Sequence, residues 1–310
     1  MVISYHIATI PQLSTSSNNF IVDKVKQYLA LIKFSLSLTV VFTCVICYLL
    51  APKVVTYNWW MILILFIAGL LVTGSANAIN QAVESDTDAV MKRTANRPVA
   101  SGKMSKVEAL LFATIAGTLG TFLMWYYFNF SSALLSAFSL FLYAFIYTPL
   151  KKVNSIAVLV GAFPGALPCL IGWVAGNDDF SAGGWILFAI QFLWQFPHFW
   201  AIAWVAHIDY SKAGFKLLPA DKGPTKFTAL QAIMYSVLMI PVGILPFQFN
   251  IAGFTSLIIL LLCNAFMVFQ CIRLYREMTV KAARRVMFSS YIYLPIVFLS
   301  LLANKIYING

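Results

Sequence analysis

The chain is divided into long apolar runs, and no other feature limits its fold so strongly. A helix that crosses a membrane needs about 20 mostly apolar residues, because lipid offers no partner for backbone N–H and C=O groups. The runs therefore predict an all-α, polytopic membrane protein with nine transmembrane helices. They lie at 28–50, 59–80, 107–127, 131–149, 154–175, 184–206, 227–247, 251–273 and 286–304. Residues 1–27 are expected to form a polar N-terminal tail, and residues 28–306 a single transmembrane domain.

The charge content agrees with a surface that faces lipid. Only 10% of the residues are charged and 61% are hydrophobic, whereas a soluble domain carries about 25% charged residues. The excess of 21 Lys and Arg over 10 Asp and Glu would also suit a nucleic-acid partner. The bases lie between apolar runs and form no basic domain, which favours loops beside anionic membrane lipid and argues against nucleic acid.

The distribution of Lys and Arg predicts the orientation of the chain. Eighteen of them fall in the tail and the even-numbered loops, only Lys53 and Lys305 fall on the opposite side, and Lys33 lies inside the first apolar run. Cytoplasmic loops are enriched in these residues, so the N-terminus is expected in the cytoplasm. The N-terminal segment has neither a basic stretch before an apolar core nor the arginines of a mitochondrial transit peptide. This composition favours the plasma membrane of a bacterium, with the active site toward the cytoplasm.

The stretch "NQAVESDTDAVMKRTANRP" (80–98) places three acids and then three bases directly after the second apolar run. If the helix continues past Asn80, then Asn80, Glu84 and Asp88 are spaced four residues apart and share one face. Asp86 is rotated about 200° from Glu84 and points elsewhere. A row of oxygen donors without Cys or His suits Mg²⁺, which prefers carboxylates together with phosphate oxygens and water.

The bases that follow have the character of a phosphate clamp. Arg93 and Arg97 are again four residues apart, Lys92 precedes them, and guanidinium groups bind phosphate oxygens in a bidentate manner. A charged loop with surface ion pairs and lipid-anchoring lysines would have a similar composition. The spacing alone leaves both interpretations open.

The same stretch resembles the first aspartate-rich motif of the UbiA superfamily of intramembrane prenyltransferases, N-x-x-x-D-x-x-x-D followed by R-T-x-x-R-P. Here the motif is represented by Asn80, Glu84 and Asp88, followed by "MKRTANRP". The departure is Glu84, which keeps the carboxylate but is one methylene longer than Asp. Asp86 is the alternative second carboxylate, because that position is also often acidic in the heme-modifying branch of the family.

The second informative stretch is "LWQFPHFWAIAWVAHIDYSKAGFKLLP" (193–219), with His198 in the middle of an apolar run. An ionisable group inside the membrane is a candidate functional residue, although a lone His in such a place is also often a satisfied core residue. W-Q-x-P-H followed by "DY", "AG" and "LP" is similar to the second motif region of the heme-modifying branch. His198 stands where other members have the first Asp of a second aspartate-rich motif, and Asp209 where they have a later one. Neutral imidazole is a common axial ligand of heme iron.

The resemblance implies nine helices around a central cavity and transfer of a farnesyl group from farnesyl diphosphate to a vinyl group of protoheme IX (heme B), giving heme O and diphosphate. It implies Mg²⁺ as cofactor and partners that handle heme or assemble oxidases. The implied metal ligands, which are also the catalytic residues, are Asn80, Glu84, Asp88 and Asp209. The implied diphosphate ligands are Lys92, Arg93, Arg97, Lys151 and Lys152, the last two from "YTPLKK" (147–152). The implied heme-binding residues are His198, Tyr147 and Trp194.

Two other functions remain as alternatives. A prenyltransferase that acts on an aromatic or quinone acceptor would carry a second Asp motif where His198 stands. A transporter or heme channel would show paired half-repeats and ionisable groups near the middle of the membrane. The sequence contains no internal repeat, and its acids lie toward one face.

Overall fold

The computed structural model describes residues 16–219 and 223–307. Within these ranges the chain is helical and forms no β-sheet, so the predicted all-α class is confirmed. The expected tail at 1–15, which includes His6, lies outside the described residues. Residues 16–27, which the sequence assigned to the same tail, belong to a helix instead. The physical reason is the four-residue spacing of Ile21, Val25 and Leu29, which gives this segment an apolar stripe.

Twelve helices follow one another along the described chain. They are α1 Ser16–Leu31, α2 Phe34–Leu50, α3 Trp59–Val83, α4 Ser85–Ala89, α5 Lys106–Tyr127, α6 Phe130–Leu150, α7 Ala157–Asn177, α8 Ala182–Val205, α9 His207–Lys212, α10 Lys226–Gln248, α11 Phe254–Glu277 and α12 Val280–Ala303. Several begin at a polar cap predicted by ordinary helix chemistry. The Asn58 side chain accepts from two amides at the start of α3, and Ser105 accepts from the Glu108 amide at the start of α5.

Eight of the helices in the described residues are long and apolar enough to cross a membrane. The count rises to nine if α1 and α2, which meet at an angle of 53°, form one bent span. The nine predicted runs therefore correspond to these helices, with ends shifted by a few residues. Lys33 makes the bend, because its backbone adopts the left-handed conformation (φ 49°, ψ 57°) between the two helices. For a residue with a side chain this conformation costs about 1–2 kcal/mol.

The most enclosed helices are α7 and α8, whose apolar windows are 78% and 67% buried by the rest of the protein. Helix α2 packs on α7, α3 packs along α5, and α12 contacts both α8 and α2. These contacts bring the beginning and the end of the chain together. Small residues allow the close approach: a Cβ on Gly161 of α7 would lie 2.6 Å from the Tyr147 ring.

The loops fall into two groups at opposite ends of the bundle. At one end the Lys216 amide donates to the Lys151 carbonyl at 2.9 Å, and the Arg93 guanidinium donates to the Tyr210 hydroxyl at 2.9 Å. At the other end Lys53 donates to the Asn177 carbonyl at 2.6 Å. The basic loops that the sequence placed on a common face therefore contact one another.

Candidate active site

The row of oxygen donors is formed where α3 passes into α4. Helix α3 ends at Val83, and Glu84 is a single turn residue before α4. The Glu84 amide donates to the Asn80 carbonyl at 2.9 Å, and the Asp88 amide donates to the Glu84 carbonyl at 2.7 Å. These bonds preserve the four-residue helical spacing across the break. Asn80, Glu84 and Asp88 consequently share one buried face and are 2%, 5% and 1% exposed.

Asp86 points away from this face, as its helical phase predicts. Its side chain is 89% exposed and forms an ion pair with Lys106 at 3.3 Å. A surface pair of this kind contributes little to stability. Of the two carboxylates considered for the second position, only Glu84 therefore lies beside Asn80 and Asp88.

Each buried carboxylate is held by a cation from another segment. Lys151 Nζ lies 2.5 Å from Glu84 Oε1, and one Arg97 nitrogen donates to both Asp88 oxygens at 2.7 and 2.8 Å. Asn80 Nδ2 donates to Glu84 Oε2 at 2.7 Å. Burial lowers the pKa of the Lys151 ammonium from its ordinary value, and the nearby Glu84 carboxylate opposes that shift by favouring the charged form. The two acids thus meet one base from the turns that follow α4 and one base from the end of α6 in a single cluster.

The predicted helical pairing of Arg93 with Arg97 is not what the structure contains. The segment after α4 is a series of turns, and the Thr94 hydroxyl donates to the Asp88 carbonyl at 2.9 Å where the helix ends. This bond satisfies a carbonyl that a continuing helix would have used. Arg97 then turns back to Asp88, while Arg93 reaches across to Tyr210. The two guanidiniums therefore lie on different sides of the cluster.

Aromatic rings surround the cationic part of the site. The Lys151 ammonium lies 5.0 Å from the Tyr147 ring centroid and 5.4 Å from that of Phe215, within the range of cation–π attraction. Tyr147 ends a π-helical segment of α6, Leu142–Tyr147. Such segments are rare and frequently occur at functional sites. A cavity of about 240 Å³, lined in part by Tyr210 and Phe215, lies beside this wall.

Three of the residues predicted for the site form no ion pair or side-chain hydrogen bond with the cluster in the described residues. Lys92 and Lys152 are exposed, and within 16–219 and 223–307 neither forms an ion pair. Asp209 lies in α9, is partly buried, and makes no side-chain hydrogen bond in the same part of the chain. Nor do three His, Cys, Asp or Glu side chains of the described residues converge so that they could hold a metal ion by themselves.

His198 lies in a second, apolar cluster on α8. Its ring stacks on Trp194, with the centroids 4.5 Å apart and the planes inclined by 17°. The Tyr291 ring of α12 stands edge-on at 5.3 Å.

The contacts of Ser290 determine which nitrogen of His198 carries hydrogen. The Ser290 hydroxyl donates to the Met287 carbonyl at 2.6 Å, so it can only accept from His198 Nδ1, which lies 2.7 Å away. The hydrogen is therefore on Nδ1, and Nε2 keeps a free lone pair. Trp194 Nε1 donates to the Ser290 carbonyl at 3.0 Å and fixes the same turn of α12. This is the tautomer that a metal-binding imidazole requires.

Several residues of the site escaped the sequence interpretation. Ser290 and Phe215 carry no charge and belong to no spacing pattern, and Tyr210 entered only as part of the "DY" pair that follows His198. Lys33 looked like an isolated base within the first apolar run, yet its ammonium donates to Asn80 Oδ1 at 3.1 Å. Lys33 could have been recognised because a charged side chain inside a membrane span is energetically unfavourable and is rarely without a function.

Comparison with known proteins shows the family of the chain. The model of the UbiA prenyltransferase family matches residues 40–293. A relative from Cytophaga hutchinsonii named protoheme IX farnesyltransferase is 44% identical over 282 residues, which cover 91% of this chain and 98% of the relative. Another of that name, from Flavobacterium johnsoniae, is 42% identical and covers 88% of this chain and 92% of the relative.

The fold is also shared with solved structures. The structure of a digeranylgeranylglyceryl phosphate synthase superposes with a TM-score of 0.76 at 23% identity, covering 91% of this chain and 98% of the other. A UbiA homologue from Archaeoglobus fulgidus superposes with a TM-score of 0.63 at 13% identity, over 89% of this chain and 99% of the other. The matched family model spans most of the chain, and the relatives above 40% identity cover nearly all of it. The chain therefore belongs to the UbiA prenyltransferase family.

Proposed function

We propose that this protein transfers the farnesyl group of farnesyl diphosphate to a vinyl group of heme B, with addition of water, to give heme O and diphosphate. The observation that carries the proposal is the 44% identity, over 91% of the chain, to a protein named protoheme IX farnesyltransferase. The two clusters on α3–α4 and α8 supply a plausible place for each substrate. The charged cluster suits the diphosphate, and the aromatic cluster around His198 suits the flat heme.

Mg²⁺ fits the donors that this chain offers. A UbiA homologue from Archaeoglobus fulgidus was solved with a prenyl diphosphate and Mg²⁺ bound. Here two buried carboxylates, Glu84 and Asp88, and the Asn80 amide oxygen share one face without Cys or His. Mg²⁺ prefers one or two carboxylates supplemented by phosphate oxygens and water, so a set of two acids is sufficient. Asp209 would approach this face from α9. The bound ion would neutralise charge on the leaving diphosphate.

The cations of the cluster would then exchange partners. In the structure Lys151 and Arg97 are paired with Glu84 and Asp88. With Mg²⁺ held by the two carboxylates, the Lys151 ammonium and the Arg97 guanidinium would be free to hold the phosphate oxygens. Arg93, which donates to the Tyr210 hydroxyl at 2.9 Å, would do the same from the α9 side. Lys92 and Lys152 would serve as outer charges that attract the diphosphate from solution.

The heme would lie against the Trp194 and Tyr291 rings, with His198 Nε2 directed at the iron. Its vinyl group must approach the farnesyl carbon that loses the diphosphate. The apolar faces of α6 and α8 would exclude water from that carbon until the new carbon–carbon bond forms. Tyr147, beside Lys151, would mark the boundary between the charged cluster and the apolar chain of the substrate.

We further propose that the basic loops face the cytoplasm of a bacterial cell. The loops around residues 93, 151 and 216 lie at one end of the bundle, and they hold most of the Lys and Arg residues. Cytoplasmic loops carry this excess. Both substrates would then enter from the cytoplasmic side, and proteins that handle heme or assemble oxidases would receive the product.

The proposal is tested in cells that lack their own heme-farnesylating activity. Hemes extracted from their membranes are separated by chromatography after expression of the wild-type chain or of Asp88→Ala. Wild-type expression is expected to produce heme O, and Asp88→Ala is expected to leave heme B alone. If the wild-type chain inserts into the membrane and heme B remains unmodified, the proposed function is wrong.

A further inference from the structure

The bend between α1 and α2 is held in place by the helix that carries the oxygen donors. Gln81 Nε2 donates to the carbonyls of Ala30 and Leu31, both at 2.9 Å. Asn77 Nδ2 donates to the Ile32 carbonyl at 3.0 Å. A break in a helix leaves carbonyls without partners, and these two buried amides of α3 satisfy them. The bend is therefore stabilised by hydrogen bonds from specific side chains of α3.

The consequence of this bend is the position of Lys33. Its left-handed backbone directs the side chain inward, and Nζ donates to Asn80 Oδ1 at 3.1 Å. Arg97, Lys151, Glu84 and Asp88 all lie within electrostatic range of the ammonium. A strained conformation stabilised by two buried amides thus brings one further cation to the charged cluster.

The cluster holds one basic group more than it has carboxylates. Glu84 and Asp88 are paired with Lys151 and Arg97, and the Lys33 amine contacts only a neutral amide among the described residues. A partly buried cation without a counter-charge is costly. An ammonium group also has three donors, and the Asn80 contact uses one of them.

We propose that Lys33 is a further diphosphate-binding residue, which holds the phosphate oxygens from the α2 side, across the cluster from Lys151. This assignment rests on the proposed function, since it names an additional ligand for the same substrate. Its place on the bend also gives α1 a role, because any movement of α1 relative to α2 would move the ammonium relative to the row of oxygen donors.

The test uses Lys33→Gly in the purified full-length protein. Gly adopts the left-handed conformation readily, so this variant keeps the bend and removes the ammonium together with its alkyl stem. Binding of inorganic diphosphate and of farnesyl diphosphate, each with Mg²⁺, is measured by calorimetry, and heme binding by its absorption band. The control position is Lys26 on α1, whose side chain is 72% exposed. Because Gly would destabilise the helix there, the control variant is Lys26→Met, and it is compared with Lys33→Met, which makes the same change at the bend.

Both Lys33 variants are expected to bind diphosphate and farnesyl diphosphate about tenfold or more weakly, the loss typical of one charge-assisted hydrogen bond. Heme binding by Lys33→Gly should match the wild type, and its thermal stability should be no lower, because Gly relieves the backbone strain at this position. Lys26→Met should match the wild type in all respects, and Lys33→Arg should recover part of the affinity. Unchanged diphosphate affinity in Lys33→Gly would overturn the inference.

The outcomes also separate this inference from the proposed function. If Lys33→Gly loses diphosphate binding while the wild type forms no heme O, the result supports the role of Lys33 and refutes heme as the acceptor. If the wild type forms heme O and both proteins bind diphosphate with equal affinity, the result supports heme as the acceptor and refutes the role of Lys33. A wild-type protein that binds neither diphosphate compound would refute both.

Discussion

At the scale of single residues, the candidate metal site depends on which side chains face inward at the α3–α4 junction. Asp88, Glu84 and Asn80 do so because hydrogen bonds between every fourth residue continue through the break. Asp86 is two positions from Glu84 and is turned to solvent. The sequence predicted this division from helical phase alone, because it requires no information from distant parts of the chain.

Glu84→Ala and Asp86→Ala should therefore differ sharply in activity. Removal of a metal-holding carboxylate is expected to lower kcat about a hundredfold or more, since such an interaction contributes several kcal/mol to the transition state. Asp86→Ala removes only an exposed ion pair and should remain within about twofold of the wild type. Turnover by the two purified variants is the measurement. Loss of activity in Asp86→Ala alone would show that Asp86 holds the second carboxylate position.

Ser290→Ala should weaken heme binding although Ser290 does not touch the iron. Without its hydroxyl, His198 Nδ1 loses the partner at 2.7 Å that fixes the tautomer. Loss of a partner behind a metal-binding histidine typically costs about tenfold or more in affinity. A heme titration followed by absorption should show this loss with a shifted heme band, while Ser290→Thr keeps the hydroxyl and recovers affinity.

Ser289→Ala is the matched control for that experiment, because the neighbouring serine lines a groove between α11 and α12 away from His198. It should bind heme as the wild type does. Equal heme affinity and an identical absorption band in Ser290→Ala would contradict the role assigned to His198 Nε2.

At the scale of elements, the close contact between α6 and α7 positions the aromatic wall of the charged cluster. The Tyr147 ring can lie beside Lys151 only because position 161 has no side chain. The π-helical segment Leu142–Tyr147 gives α6 the extra residue per turn that brings the ring there. Neither feature is encoded in a local pattern, although Gly161 lies in an apolar run where glycine is a signal of close packing.

Gly161→Ala should displace the Tyr147 ring, since the new Cβ would lie 2.6 Å from it. We expect a loss of about 1–3 kcal/mol in stability from overpacking, and a several-fold higher KM for farnesyl diphosphate. The melting temperature and steady-state kinetics of the purified variant report these effects. In a Tyr147→Ala background, Gly161→Ala should cost little further stability, because the ring that its Cβ would meet is absent. If Gly161→Ala destabilises the Tyr147→Ala protein as much as it destabilises the wild type, the clash is not the cause.

The α1–α2 bend shows where prediction from the sequence ends. The apolar periodicity of 28–50 predicts a helix, and most of that segment is one. The break arises from Asn77 and Gln81, which lie more than forty residues away and bond to the carbonyls of Ile32 and Leu31. A local pattern cannot report such a long-range contact. For the same reason Lys33 was not recognised as part of the site, whereas the acids on a single helix were.

At the scale of the whole molecule, the length of the apolar runs predicted the helical membrane architecture correctly, because it depends on the solvent and not on the details of packing. Runs of about 20 residues must be helical in lipid, and eight to nine such helices are present in the described residues. The connectivity then forces alternate loops to the same end. The exposed Trp59, Trp125 and Phe130 lie near helix ends, where aromatic side chains suit the membrane interface.

The orientation can be tested with cysteines introduced into exposed loops, since all the native cysteines are at least partly buried. A cysteine at Lys103 should react with a membrane-impermeant thiol reagent only in inverted vesicles. A cysteine at Asp178, at the opposite end of the bundle, should react only in vesicles of native orientation. The reverse pattern would place the active site on the outer face and would contradict the topology expected from the Lys and Arg distribution.

The central claim is that heme is the acceptor of the farnesyl group. Its most direct test is incubation of the purified protein with farnesyl diphosphate, Mg²⁺ and an equimolar mixture of heme B and a phenolic acceptor, followed by mass analysis of both. The account predicts that heme gains the mass of one farnesyl group and one hydroxyl while the phenol is unchanged, and that His198→Ala loses this product. A farnesylated phenol together with unmodified heme would contradict it.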